Sequence, residues 1–228
     1  MIQDLHSHTY YSMCGRDDPH LTVQAAIDGG IEVFGITDHN YGIGERKEEY
    51  YREMTAIREE YAGKIEMFCG IEIASVNNLC IGAEEDVSYF DYCLIEHIDH
   101  PESCIGRDVV NFARRCGCPA GIAHTDLIGF ARRRGEDPTA FLRELAENGI
   151  FWEMNVNYDS IHRYNEHGYM KHFFDSEEDQ EIVRNSGILL SVGFDGHRVE
   201  DYLPERVRNA CVRIEEMGLT LYRPARGK

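Results

Sequence analysis

Short runs of apolar, β-favouring residues alternate along the chain with longer stretches whose apolar positions recur every three or four residues. The first kind reads as buried strands, the second as helices packed against them. Strands are expected at about residues 2–5, 32–37, 66–73, 92–95, 120–123, 150–154 and 188–192. One helix is expected from Thr22 as N-cap to the stop at Gly29-Gly30. A long charged one covers residues 45–62, with Tyr51, Met54, Ile57 and Tyr61 at helical spacing. Others follow at residues 108–115, from Asp137-Pro138 to Asn148-Gly149, from Ser176, and at residues 204–217. Residues 74–89 read as a small hairpin excursion. Seven strand–helix repeats imply a parallel sheet with right-handed crossovers. Seven units, with no glycine-rich phosphate loop after the first strand, favour a closed or nearly closed α/β barrel over an open dinucleotide-binding sheet.

The chain's 228 residues suit one barrel domain spanning 1–228, and 43% hydrophobic content supports an ordinary core. No run of about 18 apolar residues exists, so no membrane span is expected. Residues 1–4 begin straight into a strand pattern, which is not a secretory signal. The eight cysteines are too sparse for a disulfide scaffold. Most read as reduced core residues of a cytoplasmic protein, with Cys116-Gly117-Cys118 a helix-to-strand turn. A net charge of −18 repels polyanions, so nucleic acid is an unlikely partner by composition. Small phosphorylated ligands stay open, because bound cations reverse the local sign.

Candidate chemistry falls at the ends of the strand runs. His6 and His8 sit at i, i+2, so on an extended strand both project to one face. Asp38-His39 follows the second run, Glu72 lies in the third, His97 follows the fourth, His124 the fifth, and Asp195 with His197 the seventh. In a parallel barrel these ends converge on the face where active sites are built. Six histidines and two carboxylates exceed what one tetrahedral ion accepts, so two or three divalent ions are expected, Glu72 being placed to bridge a pair. Mixed imidazole and carboxylate ligation suits zinc, manganese or iron alike. Paired ions activate water and clamp both oxygens of an in-line displacement, chemistry that fits phosphate esters best.

Asp4-Leu5-His6-Ser7-His8-Thr9, Ile36-Thr37-Asp38-His39, Gly70-Ile71-Glu72, His97, Ala123-His124 and Phe194-Asp195-Gly196-His197 together resemble the successive motifs of the PHP (polymerase and histidinol phosphatase) family. The resemblance runs from residue 4 to about 198 and implies a distorted (β/α)7 TIM-like barrel with a trinuclear centre for phosphoester hydrolysis. It implies that His6, His8, Glu72 and Asp195 surround one ion, that Glu72, His97 and His124 hold a second, and that His39 and His197 hold a third. Residues 123–128 and Trp152-Glu153-Met154-Asn155 look most like the histidinol-phosphatase branch, although this chain is shorter than is typical there. Where relatives complete the third site with His or Asp, this chain has Cys14 at the closest spacing, with Asp17, Asp18 and His20 as alternatives in the same loop. His100 rivals His97.

The function expected is hydrolysis of a small phosphomonoester, histidinol phosphate being the named candidate. Asp195, Glu72 and His197 form the catalytic group, with Asp195 orienting or deprotonating the nucleophile. The alternatives are a hydrolase of a non-phosphate ester or amide, a PHP-type nuclease, and a metal-binding module without activity. Arg163 and Arg198 are candidates for phosphate contact; Arg132-Arg133-Arg134 reads as a solvated helix edge. His162, His167 and His172 lie in a polar stretch within reach of substrate. Asp38 either orients a neighbouring imidazole or caps a loop, and Trp152, Phe173 and Phe174 read as core.

Overall fold

Seven strands, all parallel, lie side by side in the order in which the chain makes them: β1 (Gln3–Asp4), β2 (Val33–Ile36), β3 (Glu66–Ala74), β4 (Tyr92–Glu96), β5 (Ala120–Ile122), β6 (Phe151–Asn155) and β7 (Leu190–Gly193). The computed structural model describes residues 1–82, 84–105 and 108–226. Strand order never reverses, and β7 returns to β1. The Leu5 amide donates to Val192 O (2.9 Å), the Asp195 amide to His6 O (2.7 Å) and the His8 amide to Gly196 O (2.8 Å). The sheet is therefore a nearly closed barrel, as the seven-unit count implied.

Helices cover its outer wall: α1 (Pro19–Asp28), the short α2 (Asn40–Ile43), α3 (Lys47–Glu60), α4 (Val109–Cys116), α5 (Leu127–Arg133), α6 (Pro138–Glu147), α7 (Gly168–Asp175), α8 (Glu177–Ser186) and α9 (Pro204–Glu216). Their starts are chemically marked. Asp18, Asp108, Asp126, Asp137 and Ser176 each accept a hydrogen bond from a first-turn amide that has no partner inside its helix. Helix α4 ends on Gly117 at φ +73°, a left-handed position that makes Cys116-Gly117-Cys118 the expected turn into β5. A large apolar cluster lies between strands and helices. A smaller one, with Leu5, Val33, Phe68, Tyr92, Leu94, Ala123 and Phe151, fills the barrel itself. Trp152, Phe173 and Phe174 are buried, as expected.

Three expectations change. Helix α1 starts three residues before Thr22, because Asp18 takes the cap and Pro19 occupies the first turn, where its missing N–H costs nothing. Residues 74–89 form no hairpin among the described residues, Ala83 lying outside them. β3 instead runs on to Ala74, and Val76 bridges antiparallel to Ser103 in the loop after β4. Helices α2 and α7 were not anticipated, and α5 only as the helix edge carrying Arg132-Arg133-Arg134.

Candidate metal centre

The ends of the strands carry the polar residues inward at one mouth of the barrel. His6 and His8 leave β1 on one face, and their Nε2 atoms lie 3.1 Å apart. The ring nitrogens turned away from that point are committed. His6 Nδ1 donates to Glu153 Oε1 (2.7 Å). Ser12 spends its hydroxyl hydrogen on Asp38 Oδ1 (2.7 Å), so it must accept from His8 Nδ1 (3.0 Å). His197 Nδ1 donates to the Asp195 carbonyl (2.9 Å). Each of these imidazoles therefore presents Nε2 to the centre, the orientation a metal-ligating histidine takes when its other nitrogen is anchored.

Carboxylates meet those nitrogens. Asp195 Oδ1 lies 3.1 Å from His8 Nε2 and 3.5 Å from His6 Nε2. Glu72 stands within 3.4 Å of four histidines: His6 (3.2 Å), His8 (3.4 Å), His39 (2.7 Å) and His124 (3.1 Å). Although His39 Nδ1 and Glu72 Oε2 are 2.7 Å apart, neither is aligned for a hydrogen bond, and both are buried. Atoms that crowd together with lone pairs converging, rather than donor facing acceptor, fit a shared cation. Among the described residues ligand atoms gather in four groups: His6, His8 and Asp195; His8, His39 and His197; His39, Glu72 and Glu96; and Asp159, His162 and His197.

Protonation follows the same logic. Burial pulls the His6 imidazole down, but Glu72, Glu153 and Asp195 outweigh it and raise its pKa well above the usual value. Burial also opposes the upward shift of His124, to about 9 by Glu72, and of His197, to about 10 by Asp159 and Cys14. His8, buried among His197 and His39, falls to about 3. Burial pushes Glu72 and Asp195 up, yet the surrounding imidazoles hold both well below the ordinary carboxylate range. Imidazoles and carboxylates must be deprotonated to hold a metal ion, so cation binding at such a cluster would release protons.

The four alternatives for the third site separate. Cys14 lies against His197 and His39; burial raises its thiol, and the two imidazoles more than reverse this, to about 6. Asp17 accepts from the Val199 amide (2.6 Å), Asp18 caps α1, and His20 stands 4.0 Å from Glu60 on the surface. Asp38 takes the orienting role, holding Thr9 and Ser12 and, through Ser12, His8. His97 behaves differently from the other strand-end histidines: its side chain is 45% exposed and its Nε2 contacts Glu96 Oε2 (2.9 Å). His100 is exposed, with Nδ1 accepting from the Glu102 amide (3.1 Å).

Of the arginines, Arg163 is exposed in the loop after β6, with no ion pair among the described residues. Arg198 lines a small cavity with Ser7, His8 and Thr22, between α1 and the barrel wall, its Nε buried without a partner. Arg132, Arg133 and Arg134 make ion pairs with Glu178, Asp99 and Glu136. His162 is held by Asp159 (Nδ1 to Oδ1, 2.8 Å), with Nε2 3.7 Å from Asp195 Oδ2. His167 stacks on His124 at 5.8 Å, whereas His172 faces Asp179 on the outer surface.

Three acids at the mouth were not singled out from the sequence: Glu96, Glu153 and Asp159. Glu153 offered a signal, an acid inside the apolar run of β6, where an unpartnered charge is not tolerated. It holds His6 through Oε1 and the His124 amide (2.8 Å) through Oε2. Gly193 leaves room for it, since a Cβ there would stand 2.1 Å from Glu153 Oε1. The backbone is also unusual here: His97, His124 and Asp195 have φ of +62°, +23° and +57°. Non-glycine residues seldom adopt this region, and such positions concentrate at functional sites.

A family model, that of the PHP domain, matches residues 4–217. Among solved structures, the chain is similar to the histidinol phosphate phosphatase of Lactococcus lactis complexed with zinc, L-histidinol and phosphate. The two are 17% identical, with a TM-score of 0.61, over 96% of this chain and 94% of that one. It is also similar to a protein assigned as histidinol phosphatase from Listeria monocytogenes, at 14% identity and a TM-score of 0.53, over 87% of this chain and 96% of that one. A search of curated proteins finds no match.

Proposed function

The chain belongs to the PHP family, and from that premise we propose that it is a metal-dependent phosphoesterase acting on a small phosphomonoester, with histidinol phosphate the first substrate to test. The observation that carries this reading is the charge pattern at the mouth. Glu72, Glu96 and Asp195 are buried, and their ion-pair partners among the described residues are all histidines. Among the described residues neither Lys nor Arg neutralises them, which leaves the charge balance to exchangeable cations.

In this reading His6, His8, Glu72 and Asp195 hold one ion, Glu72 and His124 a second, and His39, His197 and Cys14 a third. Bound zinc, manganese or iron would supply the Lewis acidity that activates water and neutralises phosphoryl oxygens. The chain's own residues do the rest. Asp195 Oδ2 accepts from Asn155 Nδ2 (3.4 Å), which would orient the carboxylate to take a proton from the attacking water. Arg163 pairs with a phosphoryl oxygen, and His162, fixed by Asp159, contacts the departing alcohol. Arg198 lines the cavity between α1 and the barrel wall. The bound zinc, histidinol and phosphate of the Lactococcus protein support the substrate class, and the net charge of −18 disfavours a nucleic-acid substrate.

Purified protein loaded with manganese, zinc or iron should release phosphate from p-nitrophenyl phosphate and from histidinol phosphate. A chelator should abolish release, and the divalent ion should restore it. Metal-loaded protein that turns over no phosphomonoester, while cleaving an amide or a carboxylic ester, would overturn the proposal.

A further inference from the structure

We propose that Glu96 is a metal ligand, so that β4 supplies a carboxylate, and not the imidazole of His97, to the ion that Glu72 also holds. The inference rests on the metal-centre reading above and specifies one of its sites. It starts from register. In the β3–β4 ladder Glu72 stands beside Leu94, which points into the barrel's inner cluster, and Ala74 stands beside Glu96. Side chains alternate along a strand, so Glu96, two residues after Leu94, faces inward one layer nearer the mouth than Leu94. His97 has the opposite parity and emerges 45% exposed.

Glu96 is 2% exposed, and its Oε1 has no hydrogen-bond partner. That atom lies 3.3 Å from His39 Nδ1, in the same group of ligand atoms as Glu72, all within 4.8 Å of one another. Two buried carboxylates this close repel unless a cation lies between them. The second oxygen, Oε2, is 2.9 Å from His97 Nε2 and 3.9 Å from His124 Nε2. His97 thus orients the carboxylate from outside, as hydrogen-bonding partners of metal ligands commonly do. The resulting set, two glutamates with His39 and His124 close by, is richer in oxygen than a glutamate with two imidazoles, and hard oxygen ligands shift preference towards manganese over zinc.

The test compares wild type, Glu96→Gln and His97→Ala, each stripped with chelator, reloaded with manganese or zinc and desalted. Bound metal per chain is read by elemental analysis and affinity by calorimetric titration. Glu96→Gln should hold about one manganese ion fewer per chain, or bind it at least tenfold more weakly, with a smaller loss for zinc; His97→Ala should keep the wild-type stoichiometry. Unchanged manganese content and affinity in Glu96→Gln would overturn the inference, as would loss of an ion in His97→Ala. Wild type that binds no metal at all would instead remove the metal-centre reading beneath it.

Discussion

Two buried acids on neighbouring strands, Asp91 at the start of β4 and Glu72 near the end of β3, have opposite kinds of partner. Asp91 accepts from Arg58 Nη1 (3.0 Å) and from the Cys69 amide (2.7 Å). A guanidinium stays charged at any relevant pH, so this pair belongs to the folded chain permanently. Among the described residues Glu72 pairs only with histidines, whose protons can leave. The difference teaches that burial of a charge does not by itself mark a site. What marks it is the exchangeability of the counter-charge. A fixed partner makes a structural element, and a titratable one leaves a place for a ligand.

The strongest way to break this contrast is Glu72→Ala. Phosphoesterase turnover should fall by at least about 10³-fold, with the far-ultraviolet spectrum unchanged, because a shared ligand of the proposed centre is lost. Turnover near wild type would remove the distinction between the two acids. The converse is Arg58→Ala, which removes the guanidinium from Asp91. Chemical denaturation should show a loss of about 3–5 kcal/mol, while metal bound per folded chain stays the same; a fall in metal content would mean that the two regions are not separable. Glu153→Gln sharpens the comparison, since it only orients His6 and the His124 backbone. A loss of about 10–100-fold in metal affinity is expected by titration, with the number of ions unchanged. Smallest is Asp137→Ala, the cap of α6, remote from both acids. About 1 kcal/mol of stability should go, and metal binding should not move.

How far the sequence alone reached depended on whether a signal was local. The strand runs were legible because buried parallel strands are continuously apolar, and their order dictated the barrel. The strand-end histidines that gather at the barrel mouth were legible for the same reason, each following an apolar run. Residues 74–89 misled: a local hairpin was expected there, but the partner of Val76 is Ser103, in the next loop, and no local pattern reports such a pairing. Glu96 was hidden by its neighbour, since Glu96-His97 after an apolar run offers two ligand types and parity decides between them only once the β4 register is known. Cys14 could not be separated from Asp17, Asp18 and His20 on spacing. The fold of the 9–18 loop, pinned by Thr9 and Ser12 to Asp38, is what brings the thiol to His39 and His197.

The left-handed backbone at His124 and Asp195 also limits which replacements the chain tolerates there. Histidine, aspartate and asparagine are the non-glycine types that enter that conformation most readily, whereas a methyl side chain meets a penalty of about 1–2 kcal/mol. A lineage drifting away from catalysis would therefore leave asparagine or glycine as the residue of least resistance at these two places. For the experimenter, His124→Asn and Asp195→Asn separate lost ligation from a distorted main chain, a separation that alanine scanning at the same positions does not provide.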